Sequence, residues 1–427
     1  MREMKDSGVR WLGMIPKSWD LDKIVSLYSE RSTKVSDKDY PALSVTKQGI
    51  VPQLESAAKT DNGDNRKLIK KNDFVINSRS DRRGSCGISE YEGSCSLINI
   101  VLAPKNNMVN RYYNYLFKTE LFADEFYKWG NGIVDDLWST KWSNMKNIMV
   151  PFPSLEEQQA IAEHLDTKCA QIDTIIAKEQ SVIEKLQEYK RAIITYAVVK
   201  GLDITAETAD SGIEWIDSIP SHWKIKRLIF SAYIRARLGW KGLKADEYTS
   251  EGHPFLSAVN IQNDKLVWED LNFINDDRYD ESPEIKLEIG DLLLVKDGAG
   301  IGKCAVVDQL PYGTATTNSS LGVITPYPEL NSMYLYYFFE SAIFQNYISR
   351  IKNGMGVPHL TQGNLKNIMV IIPPYCEQEA IVTYLDEKCA NLDSVILRKQ
   401  SRIDKLTEYK KSLIYEVVTG KKEVSYV

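Results

Sequence analysis

Two stretches of this chain, about 220 residues apart, are copies of one segment, and most of each copy has the pattern of a long helix. Met145–Val150 reads MKNIMV and Leu365–Val370 reads LKNIMV. Each is followed by a proline-bearing break and then by a matched run, EEQQAIAEHLDTKCAQIDTIIAKEQSVIEKLQEYK against CEQEAIVTYLDEKCANLDSVILRKQSRIDKLTEYK. Both runs close on a Val-Val-x-Gly tail, Val198–Gly201 and Val417–Gly420. A second anchor pairs Asp6–Trp11 (DSGVRW) with Asp210–Trp215 (DSGIEW), each followed by Ile-Pro and a further tryptophan, Trp19 and Trp223. The order is globule, helix, globule, helix, with segments at 1–150, 151–201, 202–370 and 371–427.

Ser154-Leu-Glu-Glu157 is a capping box, in which the serine hydroxyl accepts from the Glu157 amide and the Glu157 side chain reaches back. Beyond it, apolar residues recur alternately four and three apart: Leu165, Cys169, Ile172, Ile176, Ile183, Leu186 and Ile193. The second copy has Leu385, Cys389, Leu392, Ile396, Ile403, Leu406 and Leu413. A seam of that period sustained over about four heptads predicts coiled-coil packing. Helices of about 40 residues would run roughly 60 Å.

Glu179 interrupts the first seam and Lys399 the second, at equivalent positions and with opposite charge. In an antiparallel pair these central residues would approach one another. Alternatively, each carries its charge out to water along its own stem. A buried pair would fix register more than it added stability. Two copies in one chain favour an intramolecular antiparallel coiled coil with pseudo-two-fold symmetry; recruitment of helices from other subunits is the alternative.

The globules are diverged copies as well. Pro41–Ser44 aligns with Pro254–Ser257, and Asn72-Asp73 before an apolar strand with Gly290-Asp291 before another. Tyr112–Phe117 and Tyr334–Phe339 read as aromatic helices packed in a core, and Asn131-Gly132 and Asn353-Gly354 as turns. Short strands punctuated by Gly and Asn, with a few helices, give an α+β fold class. At 427 residues the chain expects two or three domains. No apolar run has the length a membrane span requires, so a cytoplasmic location is expected, with no membrane partner. Six cysteines without a C-x-x-C, four of them at repeat-equivalent positions (Cys86 with Cys304, Cys169 with Cys389), are expected to be reduced and structural. Four histidines, none at ligand spacing from another, give no metal site.

Charge is uneven. Residues 1–150 carry a net charge of +4 and residues 206–365 one of −7. A protein gripping DNA alone is normally basic, because phosphate neutralisation supplies most non-specific affinity; the second globule therefore needs help from another subunit if it binds DNA. The most diverged polar stretches are the base-reading candidates, since Arg can reach guanine, and Asn or Gln adenine, in bidentate fashion. They are Lys47, Gln48, Arg79, Arg82, Arg83 and Lys141 in the first globule, and Asn260, Gln262, Lys296, Lys303, His359 and Gln362 in the second. Each is open to the plainer reading of a solvated loop residue.

Three strings look enzymatic and fail on chemistry. Ile372-Pro-Pro-Tyr375 lacks the Asn or Asp that an amino-methyltransferase needs to hold its target amino group. Gly298–Lys303 is one residue short of a P-loop, and Cys304 follows where a hydroxyl should bind magnesium. The remaining Gly-x-Gly pairs have no supporting context. The chain is expected to be no enzyme.

Over essentially its whole length the sequence resembles the specificity (S) subunit of type I restriction–modification systems. The carrying residues are Trp11, Ile15-Pro16 and Trp19 with their copy Trp215, Ile219-Pro220 and Trp223; Met145, Ile148 and Pro153 with Leu365, Ile368 and Pro373; Glu157-Gln158 with Glu377-Gln378; the Leu-Gln/Thr-Glu-Tyr-Lys helix ends; and His359-Leu360. The first copy departs at the last of these, with Asp136-Leu137 in a Trp-rich insertion. The resemblance implies two tandem target recognition domains, each reading half of a split double-stranded DNA site, with the helices as a ruler. It implies two methyltransferase subunits and restriction subunits as partners, and S-adenosylmethionine, ATP and Mg2+ as the partners' cofactors, none bound by this chain. A fused enzyme would need the motifs that are missing, and a pure coiled-coil scaffold would not need duplicated globules with diverged loops.

Overall fold

The computed structural model describes residues 2–54, 63–132, 138–213, 216–236, 247–263, 265–352 and 359–424. Trp215, Asp136-Leu137 and Asn353-Gly354 lie outside the described residues. The chain forms two compact units, Met1–Gln180 with Ser401–Val427, and Ser181–Gln400. The division falls within both long helices, α1 (Leu155–Lys200) and α2 (Tyr375–Val418). Each unit therefore contains helix from both sequence copies.

In the first unit, β1 (Tyr28–Glu30), β2 (Phe74–Asn77), β3 (Cys86–Ile88) and β4 (Asn99–Pro104) form an antiparallel sheet in the order β3-β2-β4-β1. In the second, β5 (Ala232–Arg235), β6 (Leu292–Val295), β7 (Cys304–Val306) and β8 (Leu321–Pro326) repeat it as β7-β6-β8-β5. Register matches as well as order: Asn99 faces Asn77 in one sheet, and Leu321 faces Val295 in the other. Each sheet packs on its aromatic helix, Asn110–Phe117 or Ser332–Glu340, where Tyr112, Tyr113, Tyr334 and Phe338 are buried. Cys86 and Cys304 lie in these cores; burial pushes the Cys86 thiol up to about 12, which leaves it inert.

The Glu-Gln pair that starts each long helix has a physical role. The Gln158 carbonyl oxygen accepts from the Val109 amide (2.8 Å), and its amide donates to Pro153 (2.8 Å). Gln378 does the same with Asn331 (2.8 Å) and Pro373 (2.8 Å), and adds Glu329 (2.9 Å). Both glutamines are fully buried, so each ties the first turn of a long helix to the start of the aromatic helix. Half of the expected capping box is present: Ser154 accepts from the Glu157 amide, while the Glu157 carboxylate pairs with Arg2.

The tails cross between copies. Tyr112 of the first copy donates to the carbonyl of Val418, 306 residues away, and Tyr334 of the second copy to that of Val198. Gly420 lies against Pro16 and Trp19, and Gly201 against Trp223; both have φ near +75°, a conformation only glycine adopts freely and one in which a Cβ would strike the tryptophan. The tail of each copy thus seats on a Trp opener.

Every seam position is buried or half-buried: Leu165, Ile172, Ile176, Glu179, Ile183 and Leu186 in α1, and Leu385, Leu392, Ile396, Lys399, Ile403 and Leu406 in α2. In the first unit, Lys410 pairs with Asp173 (2.6 Å) and Arg402 with Glu179 (2.8 Å), so as α1 ascends α2 descends. In the second unit, Lys190 pairs with Asp393 (2.8 Å). Within the first unit Glu179 pairs with Arg402, one turn beyond Lys399 in sequence.

Candidate nucleic-acid interface

In each unit the strand leaving the sheet is crossed by a later segment at equivalent points. In the first, the Thr140 amide donates to Ser78 (3.0 Å) and the Ser80 amide to Trp138 (3.0 Å), with Arg79 bridged to Ser139. In the second, the Leu360 amide donates to Lys296 (2.9 Å), and Asp297 is bridged to His359. The hydrogen bond and the bridge that recur in both units therefore present different side chains. Arg79 shares Asp81 with Arg82 at 3.0 and 3.6 Å, and Arg83 pairs with Asp124. The His359 ring bonds to Asp297. Exposed ion pairs such as the arginine ones contribute little and exchange readily for other anions.

Lys47 and Gln48 are the two tip residues of a hairpin between Leu43–Thr46 and Gly49–Pro52, both exposed. Lys141 is exposed at the start of the short helix Trp142–Met145. It lines a cleft of about 390 Å3 together with Ser78, Ser139, Thr140, Trp142 and the turn residues Leu97 and Ile98. None of these except Lys141 stood out in the sequence, because residues from five separated segments make the wall.

The second unit places its candidates less uniformly. Gln262 and Lys303 are exposed, and Gln362 is half-buried in the first turn of the helix Gln362–Lys366. Asn260 is not a surface reader: it is 6% exposed, and its side-chain oxygen accepts from the Ser257 amide (2.9 Å) to complete a capping box. Lys296 is also withdrawn, 8% exposed, and burial lowers its pKa against the opposing pull of Asp297. The glycine-rich Gly298–Lys303 is a turn between two strands, not the strand-to-helix turn that cradles phosphate. Among the described residues no cluster of three or more His, Cys, Asp or Glu could hold a metal ion, and no helix is long and apolar enough to cross a membrane.

A family model described as the type I restriction modification DNA specificity domain matches residues 27–185 and again 239–406. The MjaVIII specificity subunit of a type I restriction enzyme from Methanocaldococcus jannaschii is 24% identical, over 95% of this chain and 93% of its own length. The EcoKI specificity subunit from Escherichia coli K12 is 22% identical, over 96% and 90%. Among solved structures, a chain from a study of complex assembly and conformational transition of the type I R-M system superposes with a TM-score of 0.73 at 13% identity, over 96% of this chain and 99% of that one. The HsdS subunit from Thermoanaerobacter tengcongensis gives 0.50 at 14% identity, over 96% and 98%. At these identities the structural likeness speaks for the fold.

Proposed function

The chain belongs to the type I restriction–modification DNA specificity family, and from that premise we propose that each unit reads one half of a split double-stranded DNA site. The long helices set the gap and dock two methyltransferase subunits. Restriction subunits join the same assembly. This chain is its non-catalytic recognition component, and S-adenosylmethionine, ATP and Mg2+ serve the partners.

One observation carries the reading: the same backbone crossing occurs twice with different side chains, Arg79 beside Ser139 and Asp297 beside His359. A duplicated scaffold with diverged surface residues suits a protein that must read two different sequences in one way. Two weak readers on a stiff spacer gain effective concentration only when half-site spacing matches the spacer. Methyltransferases flip their target base, so the recognition chain has only to place them. Arg79, Arg82, Arg83, Lys141, Lys47 and Gln48 are the proposed contacts of the first unit, and Gln262, Lys303, His359 and Gln362 those of the second.

Adenine-methylation mapping tests this in cells carrying the chain with a cognate methyltransferase subunit. Two short motifs separated by a fixed gap, lost on deleting the chain, are expected. Unchanged methylation would remove the assignment.

A further inference from the structure

We propose that Leu97 and Ile98 form an apolar contact for the 5-methyl group of one thymine in the half-site of the first unit, and so set a preference for an A·T pair there. The inference rests on the DNA-reading assignment above. The turn Ser96–Asn99, closed by the Asn99 amide on Ser96 (3.0 Å), holds the two side chains 40% and 38% exposed on the cleft wall. The second unit shows that the turn itself does not require them. Its counterpart, Asn318–Leu321, closes in the same way (3.3 Å) at the same sheet register. It carries Ser319-Ser320 instead, with the Ser320 hydroxyl donating to Asn318 (2.5 Å).

The surroundings select the ligand. Glu30 on the wall of the same cleft is paired with Lys67 (3.3 Å), and the rest of its polar lining includes Lys141 and the hydroxyl-bearing Ser139 and Ser143. These are groups that hold phosphate oxygens and base edges. Two adjacent apolar side chains are too small a patch for a protein partner. Among the base edges of the major groove, the thymine methyl is the one apolar group.

The test uses the chain assembled with its methyltransferase subunit, on duplexes carrying the mapped site. Each thymine is replaced in turn by deoxyuridine, which removes only the methyl group. One replacement, in the half-site of the first unit, is expected to weaken binding about three- to fivefold, the worth of one buried methyl. The double variant Leu97→Ser, Ile98→Ser should bind thymine and uracil duplexes equally while keeping its discrimination at the other half-site, which reports that the protein is folded. Leu97→Ala, Ile98→Ala provides a second variant with the same expectation. Insensitivity to every thymine replacement, or sensitivity that persists in both variants, overturns the methyl contact. Insensitivity joined to loss of DNA bending in the variants would make the pair a wedge between base steps instead. An assembly without sequence-specific binding at all would overturn the DNA-reading assignment itself.

Discussion

Both units hold their sheet together with the same buried ion pair, but water reaches one far more than the other. In the first unit, Arg31 grips Asp73 in bidentate fashion at 2.6 and 3.0 Å, with the arginine side chain 24% exposed. In the second, Arg235 meets both oxygens of Asp291 at 2.7 Å, donates to the Lys286 carbonyl and reaches Thr325; its side chain is 9% exposed and that of Asp291 fully buried. Both aspartates also accept from a backbone amide three residues earlier, Lys70 or Glu288. The copies kept the geometry and changed the solvent. The dry pair must be complete to be tolerated, whereas the wetter one can lose a partner to water.

Removing one partner should therefore separate the units most. Arg235→Met is expected to destabilise the second unit by about 3–5 kcal/mol, because it strands a buried carboxylate. Arg31→Met should cost the first unit less. Urea unfolding with a probe in each unit checks this, and equal losses would break the comparison. Next come the glutamine ties. Gln378→Ala should cost more than Gln158→Ala, each on the order of 1–3 kcal/mol per buried group left unpaired, since Gln378 makes the additional bond to Glu329.

A smaller effect divides the candidates of the second unit from one another. Asn260→Ala should lower stability by about 1 kcal/mol, as loss of a helix cap does, with DNA discrimination unchanged. Lys303→Ala should leave stability alone and reduce the salt slope of DNA binding by about 1. If Asn260→Ala instead altered the recognised sequence, its place as a cap would not be its only one. The smallest effect is one of pH. Lys226, bonded to Glu329, holds that carboxyl below the usual glutamate range; the equivalent position of the first unit is Asn107. A depressed carboxylate stabilises above its unfolded pKa, and that contribution fades as pH falls through the folded value. Acid titration of unfolding should show this fade for the second unit and lose it in Glu329→Gln.

What could be read from the sequence was whatever recurs locally. The seam residues Leu165 to Leu406 are legible because a four-three period admits one buried stripe, and the aromatic helices because so many rings have no polar face to share. The tight turn before each strand shows in Asn72 and Gly290, both at positive φ. Lys296 and Asn260 misled because their neighbours, Val-Lys-Asp-Gly and Val-Asn-Ile-Gln, have loop composition; only the sheet pairing reveals that one ends a buried strand and the other caps a turn. The glutamines were visible in both copies without their purpose, since Val109 and Asn331 stand nearly 50 residues from them. The cleft was invisible for the same reason, its walls being distant in sequence.

The crossing of the tails has a consequence for the order in which the chain is made. The second unit is one uninterrupted stretch, Ser181–Gln400, and every residue it needs has been synthesised by the time Gln400 is joined. The first unit begins ahead of the second in the chain, yet Tyr112 has no Val418 and Trp19 no Gly420 until the final turns of α2 arrive. Domains ordinarily close in the order they are made; here the half begun first is finished last. A translation halted between Gln400 and the last turns of α2 leaves the first reader without its closing helix while the second is already whole.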